Sequence, residues 1–345
     1  MAKRAIYAPG LNYNPALPLS FSSQNVRSII PQELSRALKA APDAQVVVVG
    51  GGKTGMDTIL ETLREDAELE VTLINGRGTI FLNRTKYLPV GLDRWTSGKL
   101  ASGLFKELAL AFDGDNDDQL VEYVRQNMST DPQANNTAFL YGIQSEEEIA
   151  AVKSGLKSTV SGYLSDLTDT AEGPNLVMRD GRNIPVREGA IVVNCTGSFF
   201  RSETPPEPRP ILSENDLILS LTPRDSFHFL TSVAGFFTSH LFFRGKLRGH
   251  GFYTVDLDAV FRKNQTAWIG ASGAQAYLNQ VTALQTLPLT LLNRCGLDMD
   301  RWYPLPRRIS ALISMKANAK PDLAHCRKAL DRVADRLGVH LKALD

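Results

Sequence analysis

The segment VVVVGGGKTGMD, residues 46–57, constrains the fold of this chain more than any other part of the sequence. Its valines have the apolar, β-branched character of a buried parallel strand. The residues after the glycines, TGMDTILETLRED, have the pattern of a helix. Gly50, Gly52 and Gly55 follow the valines in the spacing G-x-G-x-x-G. A glycine turn between a strand and a helix predicts a dinucleotide-binding site in an α/β domain.

Each glycine has a separate function in such a site. Gly50 permits the tight turn, Gly52 lets the backbone approach a pyrophosphate, and Gly55 lets the helix pack closely on the strand. The helix N-terminus adds partial positive charge for the phosphates. A glycine-rich turn without a ligand is the alternative interpretation. The predicted phosphate-binding residues are Gly50, Gly51, Gly52, Lys53, Thr54 and Gly55.

The letters GKT at residues 52–54 also suggest the phosphate-binding loop of an ATPase. That loop requires the spacing G-x-x-x-x-G-K-[ST], with two glycines framing the backbone cradle. Counting back from Gly52 places Val47 where the first glycine must be. The spacing therefore excludes the ATPase interpretation.

The strand LEVTLING, residues 69–76, decides which dinucleotide is expected. An NAD site ends this strand with a carboxylate, which binds the free ribose hydroxyls. Here Asn75, Gly76 and Arg77 occupy that position. No acid is present to repel a 2′-phosphate, and the guanidinium of Arg77 can pair with one. The sequence therefore predicts NADP rather than NAD, and an arginine kept only for solubility is the alternative.

The later strands complete the predicted domain. NLVMRDGRNIPV contains the turn signal Asp180-Gly181 and predicts a hairpin in a β-meander. IVVNCTG, residues 191–197, predicts a last strand whose Thr196 and Gly197 line the cofactor. We therefore expect a Rossmann-like three-layer dinucleotide-binding domain over residues 41–200. Residues 1–40 are expected to form the end of an incomplete second domain and a linker, and residues 201–345 are expected to form the C-terminal, substrate part of that second domain.

Several helices are also predicted. SGKLASGLFKELALAF and DQLVEYVRQNM have helical periodicity, and SEEEIAAVKSGL opens with a capping box of Ser145 and Glu148. QTAWIGASGAQAYLNQVTALQ suggests a strand, a glycine turn and a helix. PDLAHCRKALDRVADRLG suggests an amphipathic helix with Pro321 near its start and Gly338 as its stop.

Composition excludes several classes of function. The 345 residues are 43% hydrophobic with a net charge of +1, which argues against disorder and against nucleic-acid binding. Three cysteines without metal spacing, together with the lack of a secretory signal, predict a cytoplasmic protein without disulfides. The uncharged run at residues 226–243 is interrupted by polar residues, so we expect no membrane association. The acids at residues 113–118 lack the EF-hand glycine and glutamate, and no metal is expected.

These motifs together resemble the flavin-dependent pyridine-nucleotide oxidoreductases, in particular the flavin-containing monooxygenase-like group. The resemblance rests on the strand IYAPG, the proline-containing linker NYNPALP, the glycine loop, the meander and IVVNCTG. Asp57 matches the aspartate that the group has two residues after the third glycine, and WIGASG matches the helix that closes its flavin domain. The resemblance implies hydride transfer from NADPH to FAD.

The sequence departs from this group in two ways. The first G-x-G-x-x-G, which holds FAD in the family, is missing, so we expect either the C-terminal portion of a flavoenzyme or a shortened relative that keeps only the NADP site. The F-x-G-x-x-x-H fingerprint of the monooxygenases is also missing. A partner chain would then supply the FAD half, or the chain would form a homo-oligomer. The alternatives are a degenerate fragment and a non-catalytic NADP-binding regulatory module. The small-molecule substrate is not identified.

No catalytic acid or base is assigned from the sequence. His240 and His250 flank a basic segment that contains Arg244, Lys246 and Arg248, and this segment is either a substrate anion site or a solvated turn. Cys195 is expected to be a packing residue, because nothing beside it in sequence would lower its pKa. No G-x-S-x-G motif supports hydrolase chemistry.

Overall fold

The computed structural model describes residues 3–8, 16–197, 211–220, 231–294 and 300–344. The chain divides into two compact units. The sheet unit comprises residues 13–84 and 128–201, and the helical unit comprises residues 1–12, 85–127 and 202–345. The sheet unit also contains residues 13–40, which precede the expected domain at 41–200, and residues 85–127 within that range belong to the helical unit.

The strands of the described residues are β1 (Ala5–Tyr7), β2 (Arg27–Ile29), β3 (Val46–Val49), β4 (Val71–Gly76), β5 (Thr79–Asn83), β6 (Ala138–Gln144), β7 (Leu156–Ser161), β8 (Leu164–Thr170), β9 (Gly173–Met178), β10 (Asn183–Pro185), β11 (Ile191–Asn194), β12 (Ile218–Ser220), β13 (Phe252–Val255) and β14 (Leu341–Leu344). The helices of the same residues are α1 (Leu34–Ala40), α2 (Lys53–Glu65), α3 (Arg84–Tyr87), α4 (Ala101–Ala111), α5 (Asp117–Met128), α6 (Glu146–Gly155), α7 (Thr231–Phe243), α8 (Leu257–Lys263), α9 (Gln265–Thr286), α10 (Leu289–Arg294) and α11 (Leu305–Leu337). Short 3-10 helices occupy Pro31–Glu33 and Gly91–Arg94.

The sheet unit is built on a five-stranded parallel sheet with the strand order β2-β11-β3-β4-β7. All four valines of β3 are buried, as expected for a central strand with both faces covered. A three-stranded antiparallel meander of β8, β9 and β10 connects β7 to β11. Gly181 has a φ of +87° in the turn between β9 and β10, which confirms the predicted hairpin. This mixed α/β architecture is consistent with the predicted Rossmann-like fold.

The segment before the glycine loop also belongs to the sheet unit. β2 lies at the edge of the parallel sheet and pairs with β11, and α1 follows it. The sequence suggested only a linker here, because three residues of strand are too short for a periodic pattern. Ile29, Leu34 and Leu38 are buried in the same apolar cluster as β3. Burial against the sheet therefore explains the formation of β2 and α1 better than local sequence preference does.

In the helical unit, α9 packs against α4 and α11. The prediction of a strand and a glycine turn at TAWIGASG is wrong, because these residues form the first turns of α9. The Asn264 side chain accepts hydrogen bonds from the backbone N–H groups of Thr266 and Ala267 and thereby caps the helix. Gly270 leaves room for the ring of Phe112, the residue directly after α4, and Gly273 leaves room for Leu108 of α4.

The C-terminal helix is longer than expected. The sequence predicted a start at Pro321, but α11 begins at Leu305 and contains Pro321 in its interior. A proline costs an interior helix about 3 kcal/mol, and burial of Met315, Cys326 and Leu330 on both sides of it opposes that cost. Gly338 adopts left-handed angles, φ 56° and ψ 47°, and ends the helix as predicted.

The acids before and at the start of α5 form ion pairs with α11. Arg332 on α11 lies 2.6 Å from a carboxylate oxygen of Asp115. Arg336 donates to both carboxylate oxygens of Asp117, at 2.7 and 2.8 Å. The acids and the basic face of α11 therefore neutralise each other within the helical unit.

Candidate nucleotide site

The predicted site residues lie at the carboxyl ends of β3, β4 and β11, which are neighbours in the parallel sheet. The chain leaves β3 to form β4 and β7 on one side, then returns to form β11 on the other side. The strand order therefore reverses between β3 and β11. Ligands of open α/β sheets bind in the crevice beyond the strands at this kind of reversal. The glycine loop follows β3, one of the two strands between which the order reverses, and it therefore lies where ligands of such sheets bind.

Two of the loop glycines are required by the fold itself. Gly50 has a φ of +117°, and a Cβ there would lie 2.7 Å from the carbonyl oxygen of Cys195. A Cβ on Gly55 would lie 1.9 Å from the carbonyl oxygen of Gly50. These positions therefore hold α2 close to the turn and the turn close to β11, in agreement with the functions expected from the spacing.

Gly52 differs from Gly50 and Gly55, because nothing among the described residues requires a glycine there. Its φ of −82° and ψ of −176° are available to any residue, and a Cβ would meet no atom within 4 Å. Gly52 is the N-cap of α2 and provides no side-chain hydrogen bond to the first turn. The first N–H groups of a helix have no acceptor within the helix. Gly52 therefore leaves uncapped donors beside open space.

Asn75 at the end of β4 closes one side of the loop. A Cβ on Gly51 would lie 2.9 Å from the Cβ of Asn75, so the two chains are in close contact. The Oδ1 of Asn75 is buried and has no hydrogen-bond partner among the described residues. A buried amide without a partner is costly. A ribose hydroxyl is a ligand group that satisfies such an oxygen, so this residue fits a nucleotide.

Lys53 has protein partners. Its ammonium group pairs with Asp57, four residues later on α2, and lies 3.9 Å from a carboxylate oxygen of Glu148. Glu148 also pairs with Arg84 at 3.1 Å and forms the predicted capping box with Ser145 at the start of α6. Lys53 would have to leave these acids to contact a phosphate, which weakens its predicted role.

The end of β11 is ordered by a residue that the sequence analysis missed. Asn194 is buried, and its Oδ1 accepts hydrogen bonds from the backbone N–H of Thr196 at 3.0 Å and from the Thr196 hydroxyl at 2.6 Å. Its amide nitrogen donates to the carbonyl oxygen of Leu17 at 2.7 Å. The available signal was a single polar residue at the end of an apolar strand. Gly197 is exposed, and a Cβ there would meet no atom within 4 Å.

Cys195 lies behind the loop. Its thiol is buried and is 3.2 Å from the hydroxyl of Thr58. Burial raises the pKa of the thiol to about 11, so it stays protonated at neutral pH. This geometry agrees with the packing role expected for Cys195.

Arg77 and Thr54 are, with Gly197, exposed members of the predicted set. Arg77 lies between Gly76 and Gly78, whose φ angles are +61° and +70°, in the turn that joins β4 to β5. Thr54 lies in the first turn of α2, and its carbonyl oxygen accepts a hydrogen bond from Thr58. Both side chains are accessible to a ligand at the edge of the sheet.

The basic segment after α7 belongs to the helical unit. Arg248 forms a salt bridge with Asp216 at 2.7 Å, and the ring of His240 stacks on Phe236. Within the described ranges, no group of His, Cys, Asp or Glu side chains is placed to hold a metal ion. Over the same ranges, no helix has the length and apolar character needed to cross a membrane. Cys295 and residues 226–230 lie outside the described residues.

No protein-family model and no curated protein matches the chain. Several solved structures align with parts of it, among them the three that follow. The FAD-bound cadaverine monooxygenase of the desferrioxamine pathway from Erwinia amylovora is 15% identical, with a TM-score of 0.37 over 70% of this chain and 60% of that one. L-lysine 6-monooxygenase from Pseudomonas syringae is 12% identical, with a TM-score of 0.32 over 63% and 56%. The reduced ornithine hydroxylase from Pseudomonas aeruginosa is 13% identical, with a TM-score of 0.33 over 66% and 56%.

The chain therefore spans less than two thirds of the length of each of these structures. With TM-scores of 0.32 to 0.37, the alignments do not assign the chain to the group of these enzymes.

Proposed function

We propose that the chain binds NADP(H) at the carboxyl ends of β3, β4 and β11. The observation that supports this proposal most directly is the open space at Gly52, a glycine that the fold does not need. A dinucleotide pyrophosphate requires a side-chain-free approach to the uncapped N-terminus of α2. The buried Oδ1 of Asn75 on β4 is a second support, because the part of the chain that the structure describes provides no hydrogen-bond donor to it.

Each part of the ligand has a counterpart in the chain. The backbone N–H groups at the start of α2 would hold the pyrophosphate. Asn75 would accept a hydrogen bond from the adenosine ribose, and Arg77 would pair with the 2′-phosphate. Thr196 and Gly197, at the end of the neighbouring strand, would border the nicotinamide half of the ligand. The absence of an acid after β4 favours NADP over NAD.

We further propose that the bound NADPH donates hydride to a flavin. This part rests on the sequence resemblance to flavin-dependent oxidoreductases. A flavin accepts hydride at its ring system, and the protein contributes position and charge. The sequence contains one G-x-G-x-x-G, which we assign to NADP. No residues are therefore assigned to FAD, and a partner chain is the proposed source of the flavin site.

The test measures both cofactors on the purified chain. Isothermal titration with NADPH and NADH should give tighter binding of NADPH. The absorption spectrum after incubation with FAD and desalting then reports whether flavin is retained. A retained flavin band that NADPH bleaches would support the reductase function. If neither nucleotide binds at millimolar concentration, the nucleotide site is wrong.

A nucleotide-binding module without redox chemistry is the second candidate. The single glycine loop favours it, because this loop accounts for one dinucleotide only. Tight NADPH binding by a chain that stays colourless, even after mixing with a lysate fraction that contains flavoproteins, would favour this module over the reductase.

A further inference from the structure

A tyrosine lies against the end of β4, beside the proposed nucleotide site. A Cβ on Gly76 would lie 3.2 Å from the ring of Tyr163, so the ring packs directly on the backbone that precedes Arg77. Gly76 and Gly162 exchange two backbone hydrogen bonds, at 2.9 and 3.1 Å. Tyr163 follows this bridge and is therefore fixed relative to β4, yet 47% of its surface stays exposed.

An arginine from the meander lies over this ring. The guanidinium carbon of Arg179 is 5.4 Å from the centroid of Tyr163, within the range of a cation–π contact. The backbone N–H of Arg179 donates to the carbonyl oxygen of Tyr163 at 2.9 Å. Arg179 is exposed and forms no ion pair with the residues that the structure describes. Its charge is therefore positioned by an aromatic ring and available to an anion.

Arg182, a nearby arginine of the same meander, differs from Arg179 because its charge is paired. Arg182 donates to a carboxylate oxygen of Asp180 from both Nε and Nη2, at 2.9 and 2.7 Å, and to the backbone oxygen of Ser161. The hydrogen bond to Asp180 raises the pKa of Arg182. The charge of Arg182 is thus already neutralised, whereas the nearby charge of Arg179 is not.

We propose that Arg179, positioned by Tyr163, is a second specificity residue for the 2′-phosphate of NADP and acts together with Arg77. Arg77 lies in the turn after β4, and Arg179, directly after β9, lies over the ring that packs on Gly76. A phosphate dianion has enough oxygens to accept from two guanidinium groups. This inference rests on the proposed function, because it refines the phosphate end of the same site.

The test compares two adenosine fragments that differ only in the relevant phosphate, 2′,5′-ADP and 5′-AMP, by isothermal titration against the full chain. The wild type should bind 2′,5′-ADP more tightly. R179A and R77A should each lower the affinity for 2′,5′-ADP by roughly tenfold, the cost of one charge-assisted hydrogen bond. Binding of 5′-AMP should not change in either variant.

Substitutions of Tyr163 test whether its ring positions the guanidinium group of Arg179. Y163F keeps the aromatic face and should bind 2′,5′-ADP as the wild type does. Y163A removes the face and should lose affinity for 2′,5′-ADP but not for 5′-AMP. R182A is the matched control, since it removes another exposed arginine of the same meander that is already paired, and it should leave both affinities unchanged.

The outcomes separate this inference from the proposed function. If R179A binds 2′,5′-ADP like the wild type while R77A does not, Arg179 is excluded and the nucleotide site stands. If R182A loses as much affinity as R179A, the effect is general electrostatics and the assignment fails. If the wild type binds neither fragment nor NADPH, the proposed function fails as well.

Discussion

Glycines in the two units perform opposite tasks. In the sheet unit, Gly50 and Gly55 bring a turn, a strand and a helix into backbone contact at the edge of a sheet. In the helical unit, Gly270 and Gly273 lie inside one continuous helix and make room for side chains of α4 and of the residue directly after it. The loop glycines therefore shape an edge where a ligand can approach, whereas the helix glycines close an interior.

The neighbouring residues, rather than the glycines themselves, distinguish the two cases. The loop glycines follow a run of buried valines that cannot continue as a helix surface. The helix glycines alternate with small residues, and Asn264 before them provides an N-cap. A glycine motif therefore needs its preceding element before it predicts a turn.

The largest effect on stability is expected at Gly55. In the G55A variant, the new Cβ would lie 1.9 Å from the carbonyl oxygen of Gly50, and backbone cannot give way as a side chain can. We expect a loss of at least about 3 kcal/mol in the free energy of unfolding, at the upper end of overpacking costs. Urea denaturation measures it, and a loss below about 1 kcal/mol would show that the close approach of loop and helix is not real.

At Gly52 the expected effect is on binding instead. In the G52V variant, the side chain enters open space, so the free energy of unfolding should stay within about 0.5 kcal/mol of the wild type. The same side chain blocks the uncapped end of α2, and NADPH affinity should fall by about 100-fold, comparable to losing one or two charge-assisted hydrogen bonds. Unchanged affinity would remove the glycine loop from the site.

In the helical unit, a substitution of Gly270 is expected to affect stability and not binding, the opposite of the substitution at Gly52. In the G270A variant, the new Cβ would lie 2.2 Å from the ring of Phe112, a fully buried side chain. Overpacking of this kind costs about 1 to 3 kcal/mol, less than at Gly55 because a side chain can adjust. A thermal or urea melt should show this loss, while NADPH affinity should not change. A change in affinity would contradict the separation of roles between the two sets of glycines.

The sequence predicted the central part of the sheet unit well, because its signals are local. The valine strand, the glycine spacing, the Asp180-Gly181 turn and the capping box of Ser145 and Glu148 each specify their own backbone within a few residues. The binding roles of the site residues remain predictions. Asn194 had only one weak sequence signal, a polar residue at the end of an apolar strand. Tyr163 could not be found from the sequence, because its position depends on strands that are distant along the chain.

The helical unit was predicted less well, for a physical reason. Its helices are defined by packing on one another, and propensity alone misplaced the start of α11 at Pro321. The buried pair of Tyr277 and Asp322, 2.6 Å apart between α9 and α11, has no sequence signature. Tertiary burial overrode a local preference against proline.

The smallest expected effect is a difference between the two units in how their stability depends on pH. Hydrogen bonds from Ser22, Ser23 and Arg182 hold the pKa values of three exposed acids of the sheet unit below their usual range. Those acids are Asp166, Asp169 and Asp180. A lowered folded pKa means that the stabilisation is present above the unfolded pKa of about 3.9 and is lost as the pH falls through the folded value.

The helical unit should respond at the other end of the pH scale. Burial, assisted by Glu107, raises the pKa of Tyr123 to about 12, and burial with the Asp322 contact raises the pKa of Tyr277 further. A raised folded pKa keeps the neutral form, so this stabilisation is complete below about 10 and is lost as the pH rises from there. Hydrogen exchange followed by mass spectrometry should show the meander loosening first in acid and α9 loosening first in alkali. In Y123F, which cannot titrate, the alkaline loss should be smaller; simultaneous loosening of both units at both extremes would show that they do not respond separately.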